Sequence, residues 1–226
     1  MFICTYAPML LCGLPHFACV IASAQASAVF PCFKNVNNIC SDVLHALKTE
    51  HMFLFLPVIQ DLPVPTIAVV DGYAIGGGTE LALAADLRVA GPSAQFSLRE
   101  TRLGIIPGAG GTQRLPRLIG RSKAKEMIFT GRFVGPEEAL DVGLADHMTM
   151  SGSAEQLALE LAAQIAQAAP IALRSAKAAI NEGLETDLAN GMNVEEQQYA
   201  KILTTEDRLE GMRAFKEKRA PKFIGK

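Results

Sequence analysis

Two glutamates beside two glycine-rich turns are the residues of this chain best suited to chemistry. Glu80 closes the run Gly76-Gly77-Gly78-Thr79-Glu80, and Glu100 precedes Pro107-Gly108-Ala109-Gly110-Gly111-Thr112-Gln113-Arg114. Two carboxylates converging on one pocket can hold a water between them, one withdrawing a proton while the other delivers one. Glycine lets a bound carbonyl approach the backbone, and the free N–H groups of a helix N-terminus favour developing negative charge, the ingredients of an oxyanion hole. Each glutamate alone also has an ordinary reading. Glu80 in a first helical turn is a helix-dipole partner, and Glu100, flanked by Arg99 and Arg102, fits a surface ion pair. Only the combination suggests an acid/base site.

Spacing excludes the phosphate-binding readings of the glycines. Gly76-x-Gly78 meets Leu81 and Gly108-x-Gly110 meets Gln113 where a dinucleotide fingerprint needs its third glycine. Gly120-Arg121-Ser122 lacks the lysine of a P-loop, and neither G-x-S-x-G nor H-E-x-x-H occurs. Cys4, Cys12, Cys19, Cys32 and Cys40 form no C-x-x-C pair, and His16, His45, His51 and His147 show no ligand spacing, so no metal is expected.

The elements that must position the glutamates begin at Thr66. Thr66 to Val70 is a short apolar run that reads as a strand, the Asp71-Gly72 turn follows, and Thr79 to Ala85 reads as a helix opening on glycine. Leu87 to Ala90 and Gln95 to Leu98 read as strands. The Gly108 to Gly111 turn feeds a helical run, Thr112 to Ile119, that Gly120 stops. Ser122 is placed to cap Lys123 to Phe129, Pro136 fits a first helical turn, and Gly143 a stop. Longer helices are predicted over Ala154 to Ala168, Pro170 to Asn181, Asp187 to Leu203 and Thr205 to Arg219, the last opened by Thr204-x-x-Asp207 in the manner of a capping box. Lys216, Lys218, Arg219, Lys222 and Lys226 give a basic end that reads first as a solvated face.

Bulk properties fit a globular enzyme: 226 residues, 50% of them hydrophobic, with a formal net charge of -2 that argues against an RNA-binding surface. No charged side chain occurs from Met1 to Phe33. That leader offers A-x-A sites but lacks a basic n-region, is interrupted by Pro8 and Pro15, and has none of the arginines of a transit peptide. No membrane association is expected beyond it.

Pro65-Thr66-Ile67-Ala68, Asp71-Gly72-Tyr73-Ala74-Ile75-Gly76-Gly77-Gly78-Thr79-Glu80-Leu81-Ala82-Leu83-Ala84 and Gly104-Ile105-Ile106-Pro107-Gly108-Ala109-Gly110-Gly111-Thr112-Gln113-Arg114-Leu115 resemble the enoyl-CoA hydratase/isomerase, or crotonase, family. Ala124-Lys125-Glu126 to Thr130-Gly131-Arg132 and Asp207-Arg208-Leu209-Glu210-Gly211-Met212 to Glu217-Lys218-Arg219 fit as well, and the resemblance covers Leu62 to Lys226. Within the family the latter half looks most similar to the mitochondrial branch containing AU-specific RNA-binding methylglutaconyl-CoA hydratase and enoyl-CoA hydratase domain-containing protein 2.

The resemblance implies an α/β fold: a crotonase-like spiral of ββα units with a C-terminal helical region, incomplete at the N-terminus. It divides the chain into a divergent leader with a remnant of the first helix (1–56), an incomplete ββα core (57–150) and a helical trimerisation region (151–226). It further implies a mitochondrial homo-trimer or hexamer acting on acyl-CoA thioesters, with no separate cofactor because coenzyme A is part of the substrate. Glu80 and Glu100 would be the catalytic carboxylates, Gly77 N–H an oxyanion donor, and Gly108 N–H a group that orients the water. Tyr199 and Lys218 would meet the adenine end of CoA from a neighbouring subunit.

The chain also departs from the family. No A-G-A-D-like loop, the source of the other oxyanion donor, occurs before Leu62, while Asn37 to His51 faintly resembles the family's first helix. Part of the family's core is therefore expected to be absent between that stretch and Pro57. The expectation is a hydratase impaired by the missing donor, with a non-catalytic acyl-CoA-binding or oligomer partner as the alternative and RNA binding a more distant one.

Overall fold

A computed structural model of the chain describes Met9–Leu10, Ile21–Ala22 and residues 59–151 and 153–226. The rest of the uncharged leader and the stretch resembling a first helix lie outside the described residues. Strands β1 (Met9–Leu10) and β2 (Ile21–Ala22) pair antiparallel.

The described residues fall into two compact units, one taking in Thr66–Glu160 and the other Pro63–Pro65 with Leu161–Lys226. In the first, the apolar run read from the sequence forms β3 (Ile67–Val70), buried at every position. There follow β4 (Tyr73–Ile75), α1 (Gly77–Ala84), β5 (Leu87–Ala90) and β6 (Gln95–Ser97). Strand β5 lies between β3 and β7 (His147–Met148), all three parallel, and β4 pairs parallel with β6, Ala74 opposite Phe96. Parallel neighbours need long crossovers, which α1 supplies between β3 and β5. Strands β4 and β7 were not anticipated, because two or three residues show no periodicity.

Helices α2 (Gly111–Ile119), α3 (Arg121–Thr130) and α4 (Pro136–Asp141) complete the layer around a core in which Phe96, Leu98, Leu115, Met127 and Leu144 are fully buried. Ser122 does not cap α3. Gly120, at φ 81°, breaks the chain between α2 and α3 and is itself the cap, so Ser122 falls inside the helix.

Thr79 ties α1 to both strands of the smaller sheet. Its hydroxyl lies 2.6 Å from the Ala74 carbonyl on β4 and 3.0 Å from the Ser97 carbonyl on β6, and it accepts from Ser97 N–H at 3.2 Å. The hydroxyl has one proton to give, and the Ser97 carbonyl already accepts from Gly76 N–H at 2.8 Å. The proton therefore goes to the closer Ala74 carbonyl. This fully buried side chain fixes where α1 begins relative to the sheet.

Helix α5 (Ala154–Ile165) crosses the boundary of the units, and α6 (Pro170–Gly183), α7 (Leu188–Ile202) and α8 (Glu206–Glu217) belong to the second. Asp187 caps α7 by accepting from Ala189 N–H and Asn190 N–H at 3.0 and 3.1 Å. The cap of α8 is Thr205, one residue later than read from the sequence, and its hydroxyl accepts from Arg208 N–H at 3.2 Å. Asp207 is thus no capping-box acid. It is buried and accepts from Ile224 N–H and Gly225 N–H at 2.7 and 2.8 Å, folding the last residues back onto α8. The lysines of the basic end and Arg219 are exposed, with Arg219 paired to Glu210 and Glu217. Among the described residues no helix is long and apolar enough to cross a membrane.

Thr79→Val keeps the shape but leaves the Ala74 carbonyl and Ser97 N–H without this partner. It is expected to lower the unfolding free energy by about 1–3 kcal/mol, read from urea denaturation; an unchanged midpoint would remove Thr79 from this role.

Candidate active site

Gly76 opens the site. It adopts φ 56°, ψ -120°, a conformation that side chains disfavour, and its carbonyl accepts from Glu80 N–H at 3.0 Å to start α1. Glu80 therefore projects from the first turn of a helix whose entry is fixed at Thr79. It is only 2% exposed. Its Oε1 accepts from Ala109 N–H and from Gly111 N–H, both at 2.7 Å, across separations of 29 and 31 residues. The second glycine turn is thus a cradle for the carboxylate of the first. At Gly111 an added Cβ would lie 2.9 Å from Glu80 Oε1 and 3.0 Å from both Leu98 Cδ1 and Pro107 Cβ, so the glycine is what permits the approach.

Glu100 begins a short 3-10 helix (Glu100–Leu103) that follows β6 after Leu98 and Arg99. The surface ion pair does not form. Arg99 stacks 5.3 Å from the centroid of the Phe133 ring, while Arg102 donates from Nε and Nη2 to the Thr130 carbonyl at 3.0 and 2.7 Å. With both arginines engaged elsewhere, Glu100 turns inward and is 9% exposed. Its carboxylate rests against Gly76, where an added Cβ would lie 2.8 Å from Oε1. Its Oε2 is buried with no hydrogen-bond partner among the described residues.

Burial pushes the Glu80 carboxyl above its ordinary value; the N–H groups of Gly111 and Ala109 and the charge of Arg114 pull it part of the way back. Burial likewise pushes Glu100 up, opposed by its own backbone N–H and reinforced by the negative charge of Glu80. Glu100 therefore senses the charge of Glu80 as well as its own burial. Raised values bring the acid and base forms of each nearer to neutral pH, where proton transfer in both directions is useful. Glu80 does lie in the first turn of α1, as the helix-dipole reading has it, but its oxygen is also held by the distant Ala109 and Gly111 N–H groups.

Gly77 is the first residue of α1, and N–H groups at that position have no acceptor within the helix. Gly108 is exposed and immediately precedes Ala109 in the cradle. Glu80, Glu100, Gly77 and Gly108 all belong to the first unit. Tyr199, 60% exposed on α7, and Lys218, the left-handed C-cap of α8 at φ 53°, belong to the second. The sequence reading missed the direct holders of Glu80, namely Ala109 and Gly111. It also missed Arg114, which donates from Nη1 to the Ala109 carbonyl and from Nε to Gln60 Oε1, both at 3.0 Å. Their only sequence signal was a glycine turn running straight into a helix that carries an arginine.

A family model described as enoyl-CoA hydratase/isomerase matches residues 20–226. The chain is 54% identical over 190 residues to enoyl-CoA hydratase domain-containing protein 2, mitochondrial, of Mus musculus, covering 82% of this chain and 64% of that one. It is 54% identical over 171 residues to methylglutaconyl-CoA hydratase, mitochondrial, of the same organism, covering 74% and 54%. The crystal structure of an enoyl-CoA hydratase from Bacillus anthracis superposes with a TM-score of 0.77 at 42% identity, covering 92% of this chain and 81% of that one. The chain therefore spans between 54% and 64% of the length of these curated relatives.

Two outcomes follow from the geometry. Gly111→Ala is expected to destabilise the fold by about 1–3 kcal/mol, because three close neighbours must give way; a denaturant midpoint equal to the parent's would contradict that crowding. Glu100→Gln is expected to do the opposite. The folded carboxyl binds its proton more tightly than the unfolded one, so the ionised form costs stability as pH rises through the window between the two midpoints. The Gln variant should therefore melt higher than the parent at about pH 7, with the gap closing as pH falls below about 4. Thermal melts across pH check the sign, and a gap that widens on acidification would overturn it.

Proposed function

We propose, from the premise that this chain belongs to the enoyl-CoA hydratase/isomerase family, that its two-carboxylate site adds water across the α,β double bond of an acyl-CoA thioester. The observation that carries the reading is a pair of buried carboxyls, one gripped by the N–H groups of Ala109 and Gly111 and the other, pushed up by burial and by the charge of Glu80, with a buried oxygen unpaired among the described residues. A water held between Glu80 and Glu100 loses a proton to one carboxylate as its oxygen attacks the β carbon. The other carboxyl delivers a proton to the α carbon. Meanwhile the thioester oxygen gathers enolate charge, which Gly77 N–H at the α1 N-terminus stabilises electrostatically. Gly108 N–H orients the water. Retention of both glutamates favours hydration over isomerisation, which can work with a single carboxylate at the Glu100 position.

Assembly and compartment complete the proposal. Leu184, Leu188 and Phe215 are 79%, 80% and 88% exposed on the second unit, which supports a homo-trimer or hexamer in which Tyr199 and Lys218 meet the adenine end of a neighbour's CoA. The relatives' names carry "mitochondrial", which supports that compartment, and fatty acid or branched-chain catabolism is the setting that suits the substrate class. One observation favours a second reading, a non-catalytic acyl-CoA-binding or oligomer partner: no A-G-A-D-like loop precedes Leu62, so the second oxyanion donor has no counterpart in the sequence. Loss of one such donor costs on the order of 10² to 10³ in rate, and turnover is proposed to be reduced at least that much. RNA binding is the weakest reading, given a net charge of -2.

Hydration of crotonyl-CoA, followed by loss of the enoyl absorbance, is expected to be slow but measurable, and to fall by about 10² to 10⁴ in Glu80→Gln and in Glu100→Gln. Binding of acyl-CoA by calorimetry without any turnover would replace hydration with the second reading. Unchanged turnover in either variant would remove that glutamate from its role.

A further inference from the structure

We infer that Arg114 is a positioning residue for Glu80, bracing from α2 the carbonyl side of Ala109, the residue whose N–H grips the carboxylate. The inference rests on the hydration reading only in giving that grip a catalytic purpose. Arg114 donates from Nη1 to the Ala109 carbonyl at 3.0 Å, and the N–H of the same residue donates to Glu80 Oε1 at 2.7 Å. A second arm, Nε to Gln60 Oε1 at 3.0 Å, fixes the plane of the guanidinium. The planar guanidinium is held at two points, Nε and Nη1, in a fixed geometry. The chain of contact runs from Gln60 through Arg114 and Ala109 to the carboxylate, and the loop it stiffens has Gly110 at φ 101°, a conformation with little intrinsic preference for one geometry.

Charge acts in the same direction as position. The groups facing Glu80 are Arg114 from α2 and Glu100 from the 3-10 helix, while Asp61 faces Arg114. Arg114 is the cation that, with the Gly111 and Ala109 N–H groups, opposes the burial of Glu80. Without it, the carboxylate would be left with two N–H donors on an unbraced loop.

The test uses the full chain labelled with ¹³C at the glutamate δ carbons, the Glu80 line being the one lost in Glu80→Gln. In Arg114→Met, Glu80 is expected to titrate at higher pH than in the parent. In the crotonyl-CoA assay kcat is expected to fall on the order of 10- to 100-fold with KM little changed. Arg114→Lys keeps the charge and loses the fork, so its Glu80 titration should stay near the parent's while kcat still falls. The lysine variant also preserves the test should the methionine variant fail to fold. An unmoved or lowered Glu80 titration in Arg114→Met, or parental kcat in Arg114→Lys, overturns the inference. The titration needs no turnover, so an inactive parent chain rejects hydration while the Glu80 line still decides the brace.

Discussion

The grip of Ala109 N–H and Gly111 N–H on Glu80 Oε1 is the interaction on which the site depends. An ionised carboxylate taken out of water costs several kcal/mol unless its lone pairs are satisfied. Hydrogen bonds to a charged acceptor return about 1.5–3 kcal/mol each, so two of them at 2.7 Å offset a large part of that cost. They do not remove all of it, since burial still holds the carboxyl above its ordinary value. The residue is thereby stable enough to stay inside while still biased toward the neutral form. The same two bonds fasten the turn at the start of α2 to the first turn of α1, so the burial of the carboxylate and the local architecture are one construction.

Glu100 reaches the same place by a different route. Ser97 is locked between Thr79 and Gly76, so β6 delivers the chain into the 3-10 helix at a fixed point. Arg99 leaves for the face of Phe133 and Arg102 for the Thr130 carbonyl. With the flanking cations occupied, the glutamate between them faces Gly76 and the negative charge of Glu80.

Much of this was legible in the sequence because the signals are local. The β-branched and apolar run that became β3, the glycine turns, and the Asp187 and Pro170 helix starts all act over a few residues. The burial of Glu80 was not legible, since it is decided by N–H groups 29 and 31 residues away. A first-turn glutamate looks the same whether it faces solvent or a distant loop. Glu100 misled for a related reason: adjacent charges in sequence suggested pairing, whereas the tight 3-10 turn sends successive side chains in different directions. At α8, two consecutive threonines offered two caps, and the choice fell to Thr205 while Asp207 was drawn to the amides of Ile224 and Gly225. The resemblance to the hydratase/isomerase family supplied the pairing of the glutamates that propensity could not.

Each carboxylate rests against a glycine that lacks the atom its own oxygen displaces: Glu100 against Gly76, Glu80 against Gly111. In the terms of sequence divergence these are two interlocked pairs of positions. Any side chain at Gly111 competes for the volume of Glu80 Oε1, and shortening Glu80 to make room withdraws the acceptor that organises the loop. A side chain at either glycine forces its acid to shift, so the glycines inherit from the acids a constraint of shape though they carry no functional group.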